Sequence, residues 1–368
     1  MDRRHGGRTI IYYVVIKSTV QLCGNGVRDG GEQCDDGNST NLDGCDADCR
    51  FDQAQRAVWF KMQFSTDTVC TQNALGRAFA GAAVRNSLQS EIDSRVGTGA
   101  FSLVLPALDA SDVSGTNDPS FELGFLTASP EPGGGYHGTN DLDWWHVIDP
   151  ATLTPAREPL FLLPASITNS ALVAGPGAAV LPQVFMAGGP LLRLALARLS
   201  ISVGPTSTPL VSASGDPPGH LVSENLDPSL TCYATCGSPN ATASGHLCGN
   251  MTARSLAQTP IVQGLVGCGL FTCTQCYTAA NTMLDVIVGG CAISMLGNQI
   301  LATHPDASDP AAPIAGAGAP YQLVWSTTTK SVVGCRDRNN QTVDLNTCLD
   351  SAAYSSFFRL ATNRVIPK

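Results

Sequence analysis

Residues 191–203 read LLRLALARLSISV. Leu192, Leu194 and Leu196 share one phase of a period-two pattern, and Leu199, Ile201 and Val203 share the opposite phase. Alternation of this kind marks a strand with one buried face. A change of phase within the strand is what a β-bulge produces, by adding a residue that the neighbouring strand does not oppose. The slip reads at Ala197-Arg198. A long bent strand belongs to a curved sheet, so the expected fold is mainly β, a jelly-roll-like β-sandwich.

Working outward, Val58, Phe60, Met62 and Phe64 alternate with Trp59, Lys61 and Gln63 in a second strand. Phe101–Leu105 and Phe121–Phe125 read as two more, as do Tyr321 to Trp325 and the run starting at Val332. Tyr354–Ile366 is a closing strand with Phe358 and Leu360 in phase, expected in the same sheet as Val58–Phe64. Val84, Leu88, Ile92 and Val96 recur every four residues, an amphipathic helix ended by Gly97. From Gly204 to His220 the chain is rich in Pro, Ser, Thr and Gly, which marks a boundary. Helical spacing returns between Thr252 and Val266 and from Tyr277 to Val288, among many cysteines. The chain therefore divides into a leader (1–22), a cysteine-rich acidic repeat (23–52), the sandwich (53–204), a disulfide-rich helical segment (205–304), and a linker with closing strands (305–368).

Charged residues are only 14% of the chain, which fits a secreted β-rich protein better than a cytosolic enzyme. The net charge is −9 and no basic patch occurs, so nucleic acid is not an expected partner. No run of about twenty apolar residues is present, so no helical membrane span is expected. The first 22 residues are basic and then briefly apolar without a small-residue cleavage site. They read as a strand-prone leader, or as a start placed downstream of an export signal. Fourteen cysteines, an even and high number, point to oxidised pairs and an extracellular or cell-envelope location. The ten after the repeat are expected to be mostly or wholly paired, Cys335 with Cys348 across a polar loop foremost.

Residues 23–49, CGNGVRDGGEQCDDGNSTNLDGCDADC, hold Cys23, Cys34, Cys45 and Cys49, seven carboxylates and almost nothing apolar. Such a segment cannot bury a core and must be held by disulfides or a cation. Hard cations take oxygen ligands, and Asp35, Asp36, Asn38 and Asp43 set oxygens on a short glycine-rich loop, which points to Ca²⁺. A disulfide-stapled, solvated loop without metal is the competing reading. The order of an EF-hand is absent, and zinc is disfavoured because no histidine falls within the stretch.

The pattern CGNG-x₅-GEQCDDGN-x₅-GC-x₃-C resembles the cysteine-rich repeat of myxobacterial and other deltaproteobacterial surface proteins, a unit similar to the Notch-type repeats of certain secreted metalloproteases. The resemblance covers about thirty residues, Cys23 to about Asp52. It implies an extracellular protein that uses calcium. Such repeats usually occur in tandem, and the single copy in this chain fits a spacer or cap better than a functional head.

Thr139 to His146, TNDLDWWH, is the candidate ligand patch. Asp141, Asp143, Trp144 and Trp145 offer the stacking faces and hydrogen-bonding groups that a sugar needs. The bland alternative is one core indole and one surface indole. Glu91-Ile92-Asp93-Ser94-Arg95 resembles the carboxylate motif of a β-jelly-roll glycosidase family, but Arg95 stands where a third carboxylate is required. With no nucleophile elbow, HExxH or P-loop, no catalytic residue is assigned and the chain is read as not an enzyme. The expectation is a secreted or cell-surface binding or adhesive protein whose partner is an extracellular protein or carbohydrate. A carbohydrate-binding module is the first alternative and a secreted hydrolase the second.

Overall fold

The computed structural model describes residues 23–27, 35, 37–40, 46–49, 54–108, 110, 116–132, 136, 145–186, 188–202, 245–261, 273–294, 296–314 and 320–367. The leader and most of the boundary segment lie outside them. The protein is mainly β. Its principal strands are β1 (Ala54–Met62), β2 (Leu103–Leu108), β3 (Asp118–Gly124), β4 (Leu126–Pro130), β5 (Trp145–Ile148), β6 (Leu162–Thr168), β7 (Ala171–Leu181), β8 (Leu192–Ser202) and β9 (Gly245–Thr252). After these come the pair β10 (Cys291–Ile293) and β11 (Gly297–Ile300), the two-residue β12 (Ala307–Ser308), the small sheet β13 (Gln322–Ser326), β14 (Ser331–Arg336) and β15 (Thr342–Val343), and finally β16 (Ala352–Pro367).

Two stacked sheets are the expectation from sequence. The hydrogen-bonded ladder returns on itself. Antiparallel pairings run β1–β2–β3–β6–β7–β8–β9–β16 and back to β1, an eight-stranded ring. A second, five-stranded ring shares β16, β1 and β2 and is completed by β4 and β5, the β5–β16 contact being parallel. β16 serves both rings because it is long. Its residues 353–360 pair with β9, residues 358–365 pair with β1, and Ile366 and Pro367 reach β5. The expected partnership of the first and last strands is thus realised as a direct antiparallel ladder, with Phe60 opposite Leu360. Closure gives every ring strand a neighbour on both sides, with β1 left open on its β2 side only beyond Arg56.

The two faces of the shared strands fill two different cores. Phe60, Met62, Phe358 and Leu360 enter the large core, where the Phe60 ring lies 4.8 Å from Phe101 and 5.3 Å from Phe358. The small ring is filled by Ala54, Val104, Leu126, Ile148 and Val365, one residue from each of its strands. β1 supplies both cores through a register shift between Ala57 and Trp59. The shift keeps Phe60 and Met62 on the large-core side and carries Trp59 and Lys61 onto the side shared with Ala54 and Arg56. In β8 the irregularity lies between Ala195 and Arg198. Leu196 takes the left-handed conformation there, with φ 49°, and is 42% exposed instead of sharing the buried phase of Leu192 and Leu194. Bends of this kind let long strands curl into a ring.

Helix α1 (Ala74–Ala78) packs on β16, and α2 (Ala82–Thr98) lies along β1. Val84, Leu88, Ile92 and Val96 are buried as their spacing predicts. The helix runs past Gly97, however, and ends at Gly99, whose φ of 76° supplies the left-handed cap. Gln89 on α2 donates to the Phe60 carbonyl at 3.0 Å and accepts from the Met62 N–H at 3.2 Å. It thereby satisfies the edge of β1 beyond the last residue paired with β2.

Segment 205–304 contributes more than helices. β9 belongs to the large ring, and α3 (Ala253–Gln258) and the helix Met283–Gly289 follow it. Cys70 on the loop after β1 is bonded to Cys248 on β9, and Cys273 to Cys291. Cys335 and Cys348 are bonded as expected, joining β14 to the helix Leu345–Ser351 where a hairpin is the sequence expectation. Cys276 is exposed and unpaired, which fits the expectation of mostly rather than wholly paired cysteines. None of the described helices is long and apolar enough to cross a membrane.

Candidate binding site

Two regions hold the residues singled out from sequence. The first is the repeat. Cys23 and Cys49 are bonded; Cys34, Cys45, Asp36 and Asp43 lie outside the described residues. Asp35 is buried, with its carboxylate facing a ring of backbone donors. Oδ2 accepts from Gly24 N–H at 3.0 Å and Asn25 N–H at 3.2 Å, and Oδ1 accepts from Gly26 and Gly37 N–H, both at 2.8 Å. Gly24, Gly26 and Gly37 all have positive φ, which lets their N–H groups converge. Burial pushes the Asp35 carboxyl up, but the four N–H bonds outweigh it and hold the group below its usual value.

A carboxylate has about four acceptor positions, and here all are engaged. Asn38 Oδ1 accepts from the Thr40 N–H at 2.6 Å. Asp35 thus staples the loop, its oxygens taken up by backbone donors. Among the described residues no cluster of three or more His, Cys, Asp or Glu is placed to hold a metal.

The second region is the small ring. Asp141, Asp143 and Trp144 lie outside the described residues, and Trp145 opens β5. β5 is wedged between β4 and β16, with His146 opposite Pro130 on one side and Pro367 on the other. His146 shares a strand face with Ile148 and is fully buried. Arg56, two residues from Ala54, is 2% exposed on the facing strand. Its Nη1 donates to Tyr136 Oη at 2.6 Å and lies 2.7 Å from His146 Nε2. A guanidinium has no acceptor, so His146 Nε2 must offer its lone pair, which makes the ring neutral at that nitrogen. The Tyr136 ring meets His146 edge-on at 6.3 Å and stands 5.9 Å from the Arg56 guanidinium carbon. The sequence patch thus leads into a buried polar cluster at one end of the small ring.

No family model, curated protein or solved structure gives a significant match to this chain. What the site can do is read from its own groups. Arg56 and Tyr136 are absent from the sequence reading. The available signal was an arginine in the buried phase of a strand, at Arg56, set against a histidine in phase with Ile148. The glycosidase-like run lies on α2, where residues two apart point to different sides of the helix. Asp93 is held by Lys61 at 2.6 Å, Ile92 is fully buried, and Arg95 donates to the Gln183 carbonyl at 2.7 Å. Cys273, bonded to Cys291, is not available as half of a Cys-x₂-Cys zinc or redox pair with Cys276.

Proposed function

We propose that this is a secreted or cell-surface, non-catalytic binding or adhesive protein, with the cysteine-rich repeat appended to a closed β body. The carrying observation is the Cys70–Cys248 bond. It joins positions 178 residues apart and ties the loop behind β1 to β9. Covalent pairing of such distant segments persists in oxidising compartments, and three further bonds accompany it. The resemblance of residues 23–52 to extracellular repeats supports the same reading. Calcium belongs to the proposal only for the repeat, with Asp36 and Asp43 as its carboxylates, since Asp35 serves the loop itself.

Carbohydrate is the partner this reading puts first, because Asp141, Asp143, Trp144 and Trp145 combine stacking faces with hydrogen-bonding groups in one stretch. The oxidised full chain is to be screened on a glycan array and on immobilised extracellular proteins. Retention without chemical change of the captured ligand supports the proposal. Silence on both surfaces counts against a binding role, and turnover of any captured glycan overturns the non-catalytic reading.

A further inference from the structure

Trp59, Lys61, Arg359 and His246 lie on one face of three adjacent strands. The β1–β16 register sets Lys61 opposite Arg359 and Trp59 opposite Ala361, and the β16–β9 register sets His246 on the other side of Arg359. All four are partly exposed. This face is continuous with the one that enters the small ring at Arg56. At its other end, Phe357 is covered by His246, whose ring stacks on it at 5.7 Å, and Cys248 is tied to Cys70.

The flanking basic side chains each have a carboxylate partner. Lys61 Nζ meets Asp93 Oδ2 at 2.6 Å, and His246 Nε2 meets Asp67 Oδ2 at 3.1 Å. Arg359 between them has no carboxylate and no side-chain hydrogen bond among the described residues, and its Nε is buried without an acceptor. A guanidinium with unused donors, fixed on a strand between neighbours that already have carboxylate partners, calls for an oxyanion from outside. Trp59 lies diagonal to it and, like Arg359, is partly exposed. The Lys61 ammonium stands 6.0 Å from that ring.

We propose that the face of β1, β16 and β9 around Arg359 and Trp59 binds an anionic saccharide, its carboxylate or sulfate on the guanidinium and its pyranose on the indole. The inference rests on the binding reading above and names a site for it built from residues other than Trp144 and Trp145. One unmatched cation beside one aromatic suits a ligand with spaced single charges. A phosphodiester chain needs several cations in a row.

The test is calorimetric titration of the oxidised full chain with an oligogalacturonate, a sulfated oligosaccharide, a neutral cello-oligosaccharide and a single-stranded oligonucleotide. The uronate or the sulfated probe is expected to bind, and the stronger of the two identifies the anion. Arg359→Gln and Trp59→Ala each weaken that binding at least about tenfold. Arg359→Lys, which keeps the charge but not the fork, weakens it several-fold and carries the test if Arg359→Gln does not fold. Arg254→Gln, whose guanidinium is held by Asp350 at 2.7 Å on α3, leaves it unchanged. Binding that ignores Arg359 and Trp59 overturns this site while leaving the binding reading intact. Equal binding of the neutral sugar, or Arg359-dependent binding of the oligonucleotide, overturns the ligand class. No binding of any probe overturns the proposal, while capture of other ligands in the array screen would still uphold the broader reading.

Discussion

Replacing Asp35 by Asn tests whether that side chain, rather than a cation, organises the repeat. The carboxylate accepts four N–H groups, two on each oxygen. An amide keeps one acceptor oxygen and turns an NH₂ toward the other two donors. The best rotamer retains the 2.8 Å bonds to Gly26 and Gly37 and loses those to Gly24 and Asn25. Hydrogen bonds to a charged group contribute about 1.5–3 kcal/mol each. Water can reach these N–H groups once the loop opens, so the lower end applies and the two together amount to about 3 kcal/mol. That corresponds to about a hundredfold in the opening equilibrium, at roughly 1.4 kcal/mol per tenfold. Amide hydrogen exchange of Gly24, Asn25, Gly26 and Gly37 in the oxidised full chain reads this directly, with the Cys23–Cys49 bond present in both proteins. A pH series adds a sign. The folded Asp35 carboxyl is held below its unfolded value, so its contribution is fully present above about pH 3.9 and is lost as pH falls through the folded pKa. Wild-type protection should decay on acidification, and the Asn variant should lack that component. Equal protection factors in the two proteins, or a pH response that survives the substitution, would refute the staple.

Three other outcomes are expected. Leu126→Ala or Ile148→Ala empties part of the small-ring core and should cost about 2–5 kcal/mol in a denaturant titration. Removing both Cys70 and Cys248 as a Ser pair releases a constraint over 178 residues, worth up to about 5 kcal/mol in the chain-entropy account, read as a lower unfolding midpoint. Arg193→Ala leaves the Asp309 carboxylate, 1% exposed and paired with Arg193 at 2.8 Å, without its cation, whereas Arg254→Ala breaks an open pair. The first should cost about 3 kcal/mol, the low end for a buried pair because Arg193 itself is partly exposed, and the second no more than about 1 kcal/mol in the same titration.

Strands with a clean period of two were legible in the sequence. The phase change in residues 191–203 marks a real bulge, and the pairing of the first and last strands follows from a strand standing at each end of the domain. Ring closure was not legible, because it depends on which edges meet and not on which faces are apolar. β9 was missed for a related reason. Its sequence GHLCGNMT places Gly245, Leu247, Gly249 and Met251 inward, and two of those four inward positions have no side chain to display the alternation. Gly97 directly follows the last residue of the apolar stripe and so marks the expected helix end, while the left-handed turn falls two residues later. At the candidate site, His146 lay inside the patch read from sequence. Its partners Arg56 and Tyr136 come from positions 90 and 10 residues earlier, beyond the reach of any local pattern. The acidic loop was read correctly as oxygen-rich. Sequence spacing could not tell that four backbone donors, from Gly24, Asn25, Gly26 and Gly37, already engage Asp35.

β16 closes both rings, and it follows every other ring strand in the chain. During synthesis the seven earlier strands of the large ring can form at most an open ladder whose outer members, β1 and β9, wait for a partner. Their contacts with β16 span roughly 100 to 300 residues of chain, the kind of long-range pairing that makes folding slow. Until that strand arrives, the chain is neither finished nor locked. For the secreted protein proposed above, a last-made strand that closes both rings keeps the chain open while it is exported.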